Sequence, residues 1–161
     1  MKFHRIFLLL PALLALAACQ PTPEQAREKL AKMNVPQSDE ALLAQTKSGK
    51  TEDVAKLLVT AGVDPNARQA NGMTALMSAV FNGQAEVAKA LIDKGADVKL
   101  DAKGFNALSL AVEKGNKDMV KLLLAHGADP KARPGSGLSA LEKAQQRQNA
   151  ELVELLQEKA K

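Results

Sequence analysis

Few side chains in this 161-residue chain have the type and spacing needed for chemistry. There is one cysteine, Cys19, and the two histidines are His4 and His126. One cysteine cannot form an internal disulfide. His4 falls in residues 1–18, which have the pattern of a removable leader, and Cys19 with the one remaining histidine cannot build a zinc site of the usual kind. His126 directly precedes Gly127 in the last turn of a predicted helix, where the helix dipole stabilises a cation. We therefore expect His126 to be a helix-end residue and not the general base of a Ser–His–Asp arrangement.

Carboxylates recur along the chain in two sets. The first set lies at the start of predicted helices and contains Asp53, Glu86, Asp118 and Glu151. The second set lies just after the ends of predicted helices and contains Asp64, Asp97 and Asp129. Residue types alone leave open a carboxylate pair for glycoside cleavage. Acids also stabilise helix N-termini, and aspartates suit turns, so recurrence in every unit favours a structural role. No glycine-rich phosphate loop, nucleotide signature or metal motif is present. We predict no enzyme activity, no cofactor and no metal.

These acids belong to an internal repeat with a step of 32 or 33 residues. Leucines, alanines and two sets of glycines keep the same step: Leu58, Leu91, Leu123 and Leu156; Ala79, Ala111 and Ala144; Gly62, Gly95 and Gly127; Gly72, Gly104 and Gly137. Each glycine of the last set is followed two residues later by a helix-capping residue, namely Thr74, Asn106 and Ser139. The leucines indicate the inward stripe of a helix, and the alanines indicate a close approach of neighbouring helices. The glycines at 62, 95 and 127 indicate helix C-termini that need a positive φ.

The pattern resembles the ankyrin repeat from about Gln37 to the C-terminus. The resemblance implies an all-α solenoid of about four helix-turn-helix units, near residues 37–69, 70–100, 101–133 and 134–161. The first and last units are atypical, as expected of solenoid ends that need a polar outer face. Two departures from the family pattern concern its Thr-Pro-Leu-His motif. Alanine replaces the usual proline at Ala75, Ala107 and Ala140, and other residues replace the loop-tying histidine at Met77, Ser109 and Glu142. We therefore expect less rigid loops on the same fold.

Residues 1–18 have the pattern of a secretory signal peptide. A basic start ends at Arg5, and the uncharged run from Ile6 to Ala18 is too short to cross a bilayer, which needs about 20 residues. Leu16-Ala17-Ala18-Cys19 resembles the bacterial lipoprotein box. That resemblance implies cleavage before Cys19, acylation of Cys19 and, with Gln20 following, sorting to the outer membrane facing the periplasm. The alternative is an ordinary signal peptide, with Cys19 incidental. Cleavage lowers the formal net charge from +4 to +2, which argues against nucleic acid as a partner.

Residues 19–36 contain a predicted short helix. Thr22 is a candidate N-cap, Pro23 suits the first helical position, and Gln25 completes a capping box. Ala26, Leu30 and Met33 share one face, and Pro36 ends the segment. The segment is either a tether or a cap docked on the units that follow, and its apolar stripe favours the docked cap.

The family resemblance also predicts where a partner would bind. In an ankyrin array the variable positions flank the turn glycine and close the first helix. They fall on Asn71, Met73, Phe81, Asn82, Lys103, Phe105, Glu113, Lys114, Ser136, Leu138, Gln146 and Arg147. Met73, Phe105 and Leu138, each directly after a turn glycine, are all apolar. They either contact a partner or fold back over the neighbouring turn.

The resemblances together imply a membrane-anchored scaffold or adaptor of the bacterial envelope that binds another protein on its concave face. The alternative is an inhibitor or immunity protein that neutralises an envelope-acting toxic enzyme. No small-molecule substrate is expected. The loop cations are offset by acids in the same loops, so we expect a partner that is not strongly charged. The residues counted are Lys99, Lys103, Lys131 and Arg133 against Asp97, Asp101 and Asp129.

Overall fold

The structure is a computed structural model that describes residues 21–48 and 52–160. The predicted signal peptide and Cys19 lie outside these ranges. The described part contains nine helices and one two-stranded hairpin. The helices are α1 Pro23–Lys32, α2 Asp39–Ser48, α3 Glu52–Ala61, α4 Ala75–Phe81, α5 Ala85–Asp93, α6 Ala107–Glu113, α7 Lys117–Ala125, α8 Ala140–Gln146 and α9 Ala150–Lys159. The strands are β1 Asp101–Ala102 and β2 Phe105–Asn106.

Helices α2 to α9 form four consecutive pairs that stack along one axis. The first helices of the pairs pack in series, α2 on α4, α4 on α6 and α6 on α8, while α3 packs on α5 in the second layer. The leucines of the repeat lie between the layers and are fully buried: Leu58, Leu91, Leu123 and Leu156. Ala79, Ala111 and Ala144 are also fully buried on the first helices, where a small side chain permits the close approach of the helices. The predicted all-α repeat solenoid is confirmed.

Local backbone chemistry follows the sequence pattern within each unit. The side chains of Thr74, Asn106 and Ser139 accept hydrogen bonds from the third backbone N–H of their helices at 3.1, 2.8 and 3.2 Å. The aspartates after the second helices each accept a backbone N–H two residues ahead at 2.8 Å: Asp64, Asp97 and Asp129. Both sets therefore have the structural roles predicted for them.

Helix α1 is the second helix of an incomplete additional unit. It packs on α3, and its Ala26 and Leu30 are fully buried. Leu30 stands four residues before Asn34, which has φ +55, as Leu58 stands four before Gly62, which has φ +98. The following N–H returns to the leucine carbonyl in both places, at 3.0 and 3.2 Å. The cap geometry ends α1 before Pro36, and Met33, predicted to share the buried face, is instead 46% exposed.

The connections between units form fingers, residues 68–74, 101–106 and 134–138, which differ in their turns. In the second finger, Lys103 and Gly104 make a two-residue hairpin turn with φ +50 and +77, the pattern of a type I′ turn. Gly95 and Gly104 are 9 positions apart, whereas Gly62 and Gly72 are 10 apart, and this shorter turn accounts for the difference. In the third finger the turn is closed by Gly137 N–H donating to Pro134 O at 2.8 Å, and Gly135 carries the positive φ. Gly137 thus lies in the predicted turn between units and supplies the N–H that closes it, while the positive φ belongs to Gly135.

Hydrogen bonds tie the first finger to the next unit where the family's histidine is absent. Asn66 Oδ1 accepts the N–H of Asp97 at 2.8 Å, and its Nδ2 donates to Gly95 O at 3.3 Å. Arg68 Nη1 donates to the carbonyls of Gly72 and Asp101 at 3.1 and 3.2 Å. Asn66, just before the first finger, and Arg68, at its start, thus connect neighbouring loops.

Gln84, at the N-terminus of α5, departs from its counterparts in the later units. Its side chain is buried, and neither amide atom has a hydrogen-bond partner within the described residues. Asn116 and Asn149, at the same position, cap their helices at 3.0 and 3.1 Å. A buried amide without partners carries an uncompensated desolvation cost.

We predict that Gln84→Asn raises the free energy of unfolding by about 1 kcal/mol, because the shorter side chain forms the missing cap. Urea unfolding followed by circular dichroism measures the change. The reverse exchange, Asn116→Gln, is the matched control and should lower stability. Destabilisation by Gln84→Asn would contradict the expectation.

Candidate functional site

The fingers and the first helices meet along one side of the solenoid, which we call the groove face. Its C-terminal groove lies between the third and fourth units and has a volume of about 410 Å³. The lining residues are Lys103, Gly104, Phe105, Glu113, Ser136, Gly137, Leu138, Lys143, Gln146 and Arg147. Two fingers supply one wall, and the ends of α6 and α8 supply the other.

A second depression, the N-terminal groove, lies between α2 and the first finger. It has a volume of about 420 Å³. The helix contributes one face at helical spacing and the finger contributes its tip: Glu40, Leu43, Ala44 and Lys47, with Gln69, Ala70 and Asn71. The surface exposed in this groove is mostly apolar, and Glu40 and Lys47 supply one acid and one base.

A cation–aromatic cluster occupies the C-terminal groove. Lys143 Nζ lies 3.9 Å from the centroid of the Phe105 ring and 3.0 Å from Glu113 Oε2. The Lys143 side chain is only 13% exposed, so both contacts are partly shielded from water, which strengthens them. Arg147 Nη2 is 3.8 Å from Glu113 Oε1, a looser pair on a more exposed side chain. The cluster joins α8 to α6 and to the second finger.

Comparison with known protein families adds to this geometry. A family model described as ankyrin repeats, in three copies, matches residues 41–134. The chain belongs to the ankyrin-repeat family. A search of the curated proteins gives no match. Ankyrin repeats suggest a protein–protein interaction module and are usually non-enzymatic. The groove face corresponds to the side of an ankyrin array formed by its fingers and first helices.

Most of the predicted binding positions of this ankyrin array lie on the groove face. Seven line the C-terminal groove: Lys103, Phe105, Glu113, Ser136, Leu138, Gln146 and Arg147. Asn71 lines the N-terminal groove. Lys114 and Phe81 lie outside both grooves and contact each other, with the ammonium nitrogen 3.6 Å from the ring centroid. Asn82 has a structural role, because its Nδ2 donates to the carbonyl oxygens of Thr46 and Lys47 at 2.7 and 3.3 Å.

The apolar residues that follow the turn glycines were expected either to contact a partner or to fold back over the neighbouring turn, and they do not all behave alike. Met73 and Phe105 are half-buried and pack against the core. Leu138 is 38% exposed, and Phe81, at the end of α4, is 47% exposed. The apolar surface open to a partner is therefore Phe81 with Leu138, not the Met73–Phe105–Leu138 column as a whole.

Sequence reasoning missed Lys143, which organises the C-terminal groove. The signal was its position four residues before Arg147, the C-cap of α8, because residues at this spacing share one helix face. That spacing could place Lys143 near Glu113 only once α8 was known to pack against α6.

Glu142 lies near the groove face and Glu151 lies on the second layer. Contacts with neighbouring side chains and backbone lower the pKa of both carboxyl groups. The backbone N–H of Ser139, the Arg133 side chain and the Ser139 hydroxyl lower the pKa of Glu142. The Lys117 side chain lowers the pKa of Glu151. A carboxyl group shifted in this direction remains ionised at neutral pH and is a poor proton donor.

The remaining candidates for chemistry have helix-end positions in this ankyrin array. His126 is exposed at the end of α7, with its Nδ1 2.8 Å from the carbonyl oxygen of Leu122. Within residues 21–48 and 52–160, no group of three or more His, Cys, Asp or Glu side chains is placed to hold a metal ion. In the same ranges, no helix has the length and apolar character to cross a membrane.

Proposed function

We propose that this ankyrin-repeat chain is a scaffold or adaptor of the bacterial envelope that binds a partner protein on its groove face. The observation that carries the proposal is the exposure of two apolar side chains on the groove face: Leu138, which lines the C-terminal groove, and Phe81 at the end of α4. Exposed apolar residues rimmed by polar ones are typical of protein contact sites. On the second layer, exposed charges form ion pairs within a helix, as Lys89 does with Asp93 at 2.7 Å, and between helices, as Lys117 does with Glu151.

Membrane attachment at Cys19 is the second part of the proposal. It rests on the signal-like residues 1–18 and the lipoprotein-type sequence before Cys19. Helix α1 begins at Pro23, so the chain from Cys19 to the solenoid spans at most about 14 Å. An acylated Cys19 would therefore keep the repeat units close to the bilayer, and the bound partner would be held there with them.

The proposed function is protein binding alone. No enzyme activity, small-molecule substrate or nucleic acid is proposed. The recurring acids and His126 act at helix ends, and the pKa of Glu142 and Glu151 is shifted away from proton donation. A near-neutral net charge supports a protein partner over nucleic acid.

Cross-linking in the bacterial envelope tests the proposal. We expect the wild-type chain to capture one partner, and Phe81→Ser with Leu138→Ser to reduce that capture at least about tenfold, because central apolar anchors dominate interface energies. Met33→Ser is the matched control, since Met33 is equally exposed but lies at the end of α1. Equal loss in both variants, or no loss in either, would contradict binding on the groove face.

The same experiment tests the anchor and the role. Cys19→Ser should move the captured complex from the membrane fraction to the soluble fraction, and retention in the membrane would contradict lipid attachment. A captured partner that keeps its own activity is expected of an adaptor. Loss of that activity on stoichiometric mixing would instead indicate an inhibitor or immunity protein.

A further inference from the structure

We infer that the C-terminal groove binds an acidic, extended segment of the partner. This inference rests on the proposed binding function and names the chemistry of the ligand at one end of the groove face. It starts from the charges that line the groove: three cations, Lys103, Lys143 and Arg147, against one acid, Glu113.

Contacts within the groove leave two of these cations without a strong partner. Glu113 is held by Lys143 at 3.0 Å, so its charge is largely compensated by that lysine. Arg147 approaches Glu113 only to 3.8 Å and has a side chain that is about half exposed. Lys103 is exposed and forms no ion pair with any described residue. Lys103 and Arg147 thus face the groove from opposite walls with an excess of positive charge.

The acids that balance the charge of the loops do not line the groove. Asp97 and Asp129 accept backbone N–H groups of their own turns at 2.8 Å. Glu142 is engaged by Ser139 and Arg133. The sequence indicated a partner without strong charge because it counted charges along the chain, whereas Asp97, Asp101 and Asp129 all lie outside the lining of the groove. A segment carrying carboxylates complements this end of the face.

The backbone of Lys103 supports a role for its charge. Lys103 occupies the first central position of the hairpin turn at φ +50, where asparagine, aspartate or glycine is preferred. A side chain held in this conformation costs stability, and such costs are concentrated at functional positions. Lys103 lines the finger wall of the groove, opposite Arg147 at the C-cap of α8.

The groove also has the apolar surface that an acidic peptide would use for affinity. Leu138 and the half-buried Phe105 lie on the finger wall with Lys103, facing Arg147 on the helix wall. The N-terminal groove differs, since Glu40 and Lys47 balance each other beside Leu43 and Ala44. We therefore expect the acidic residues of the segment to bind in the C-terminal groove and apolar residues of the partner to bind in the N-terminal groove.

Selection from a displayed library of random twelve-residue peptides tests the inference, with the full chain in detergent micelles as the target. Wild type should enrich peptides that combine two or more acidic residues with an apolar one. Lys103→Gln with Arg147→Gln should weaken the best peptide about fivefold in fluorescence anisotropy, as expected for two exposed ion pairs. The control, Lys94→Gln with Lys121→Gln, removes the same charge from exposed lysines on the second layer and should bind as wild type.

A second variant separates binding from folding. Lys103→Asn should raise the thermal midpoint, because asparagine suits the turn, and should still weaken the acidic peptide. A lysine with only a structural role would not give these opposite effects. No preference for acidic over basic peptides would overturn the inference, as would unchanged binding in the Lys103→Gln with Arg147→Gln variant.

The outcomes also distinguish this inference from the proposed function. If the enriched peptides are not acidic but lose binding with Phe81→Ser and Leu138→Ser, the acidic ligand is rejected and the groove face is retained. If that apolar variant and the charge variant both bind as wild type, both proposals are rejected. Binding of a single-stranded DNA oligonucleotide with the same dependence on Lys103 and Arg147 would replace the acidic peptide with nucleic acid.

Discussion

Leu30→Ala should lower the free energy of unfolding by about 3 kcal/mol, as much as a leucine deletion in the middle of the solenoid. Leu30 is fully buried and occupies the same position in α1 that Leu58 and Leu91 occupy in the second helices of complete units. Removing three carbon atoms from a packed leucine loses the transfer free energy and leaves a cavity that the stacked helices cannot fully close. Urea unfolding, followed by circular dichroism at 222 nm, measures the change.

The control for this prediction lies on the same helix. Met33→Ala removes a comparable volume from a side chain that is 46% exposed, and it should change stability by no more than about 0.5 kcal/mol. Hydrogen exchange should show reduced protection of the α1 amides in the Leu30 variant and not in the Met33 variant. Equal, small effects of the two substitutions would mean that α1 is a tether and not part of the repeat core.

The position of α1 shows which features of the fold could be predicted from sequence. The capping box of Thr22 and Gln25 depends on contacts within one helical turn, so the local pattern indicated it correctly. The burial of Leu30 depends on packing against α3, and the apolar spacing of Ala26 and Leu30 indicated only which face would pack. The equivalence with the repeat units was missed because Asn34 stands where the other units have glycine. Asparagine adopts the same positive φ, so the spacing from Leu30 carried the signal that the residue type concealed.

The candidate site depends on contacts between units, and these were less predictable. Phe105 and Glu113 were identified as variable positions, yet only the packing of α8 against α6 brings Lys143 onto both. Asn82 belongs to the same variable set but bonds to the end of α2 instead. A repeat alignment assigns positions within a unit. It does not say whether the neighbouring unit offers a carbonyl, a ring or an open groove at that position.

Gly137 illustrates the same limit and leads to the second large effect. It shares a sequence column with Gly72 and Gly104, which have φ +85 and +77, but Gly137 is not in the left-handed region. A Cβ atom at residue 137 would overlap the carbonyl oxygen of Gly104 and lie 3.0 Å from the carbonyl oxygen of Pro134. Glycine is needed here because the third finger packs backbone to backbone on the second.

Gly137→Ala should therefore lower the free energy of unfolding by about 2 kcal/mol, since the added methyl group must push two fingers apart. It should also weaken any ligand of the C-terminal groove, because Gly104 and Gly137 both line it. Thermal and urea unfolding measure the first effect, and anisotropy with the selected peptide measures the second. Both effects come from one displacement, so we expect them to occur together.

Gly135→Asn provides the matched control in the same finger. Gly135 has φ +53, which asparagine tolerates, and a Cβ there would come no closer than 4.0 Å to the nearest atom, the Gly104 nitrogen. We expect its cost to be well below that of Gly137→Ala. Similar losses for the two variants would show that the finger tolerates no side chain for conformational reasons. A larger loss at 137 alone would show that close packing between the fingers holds the groove wall in place.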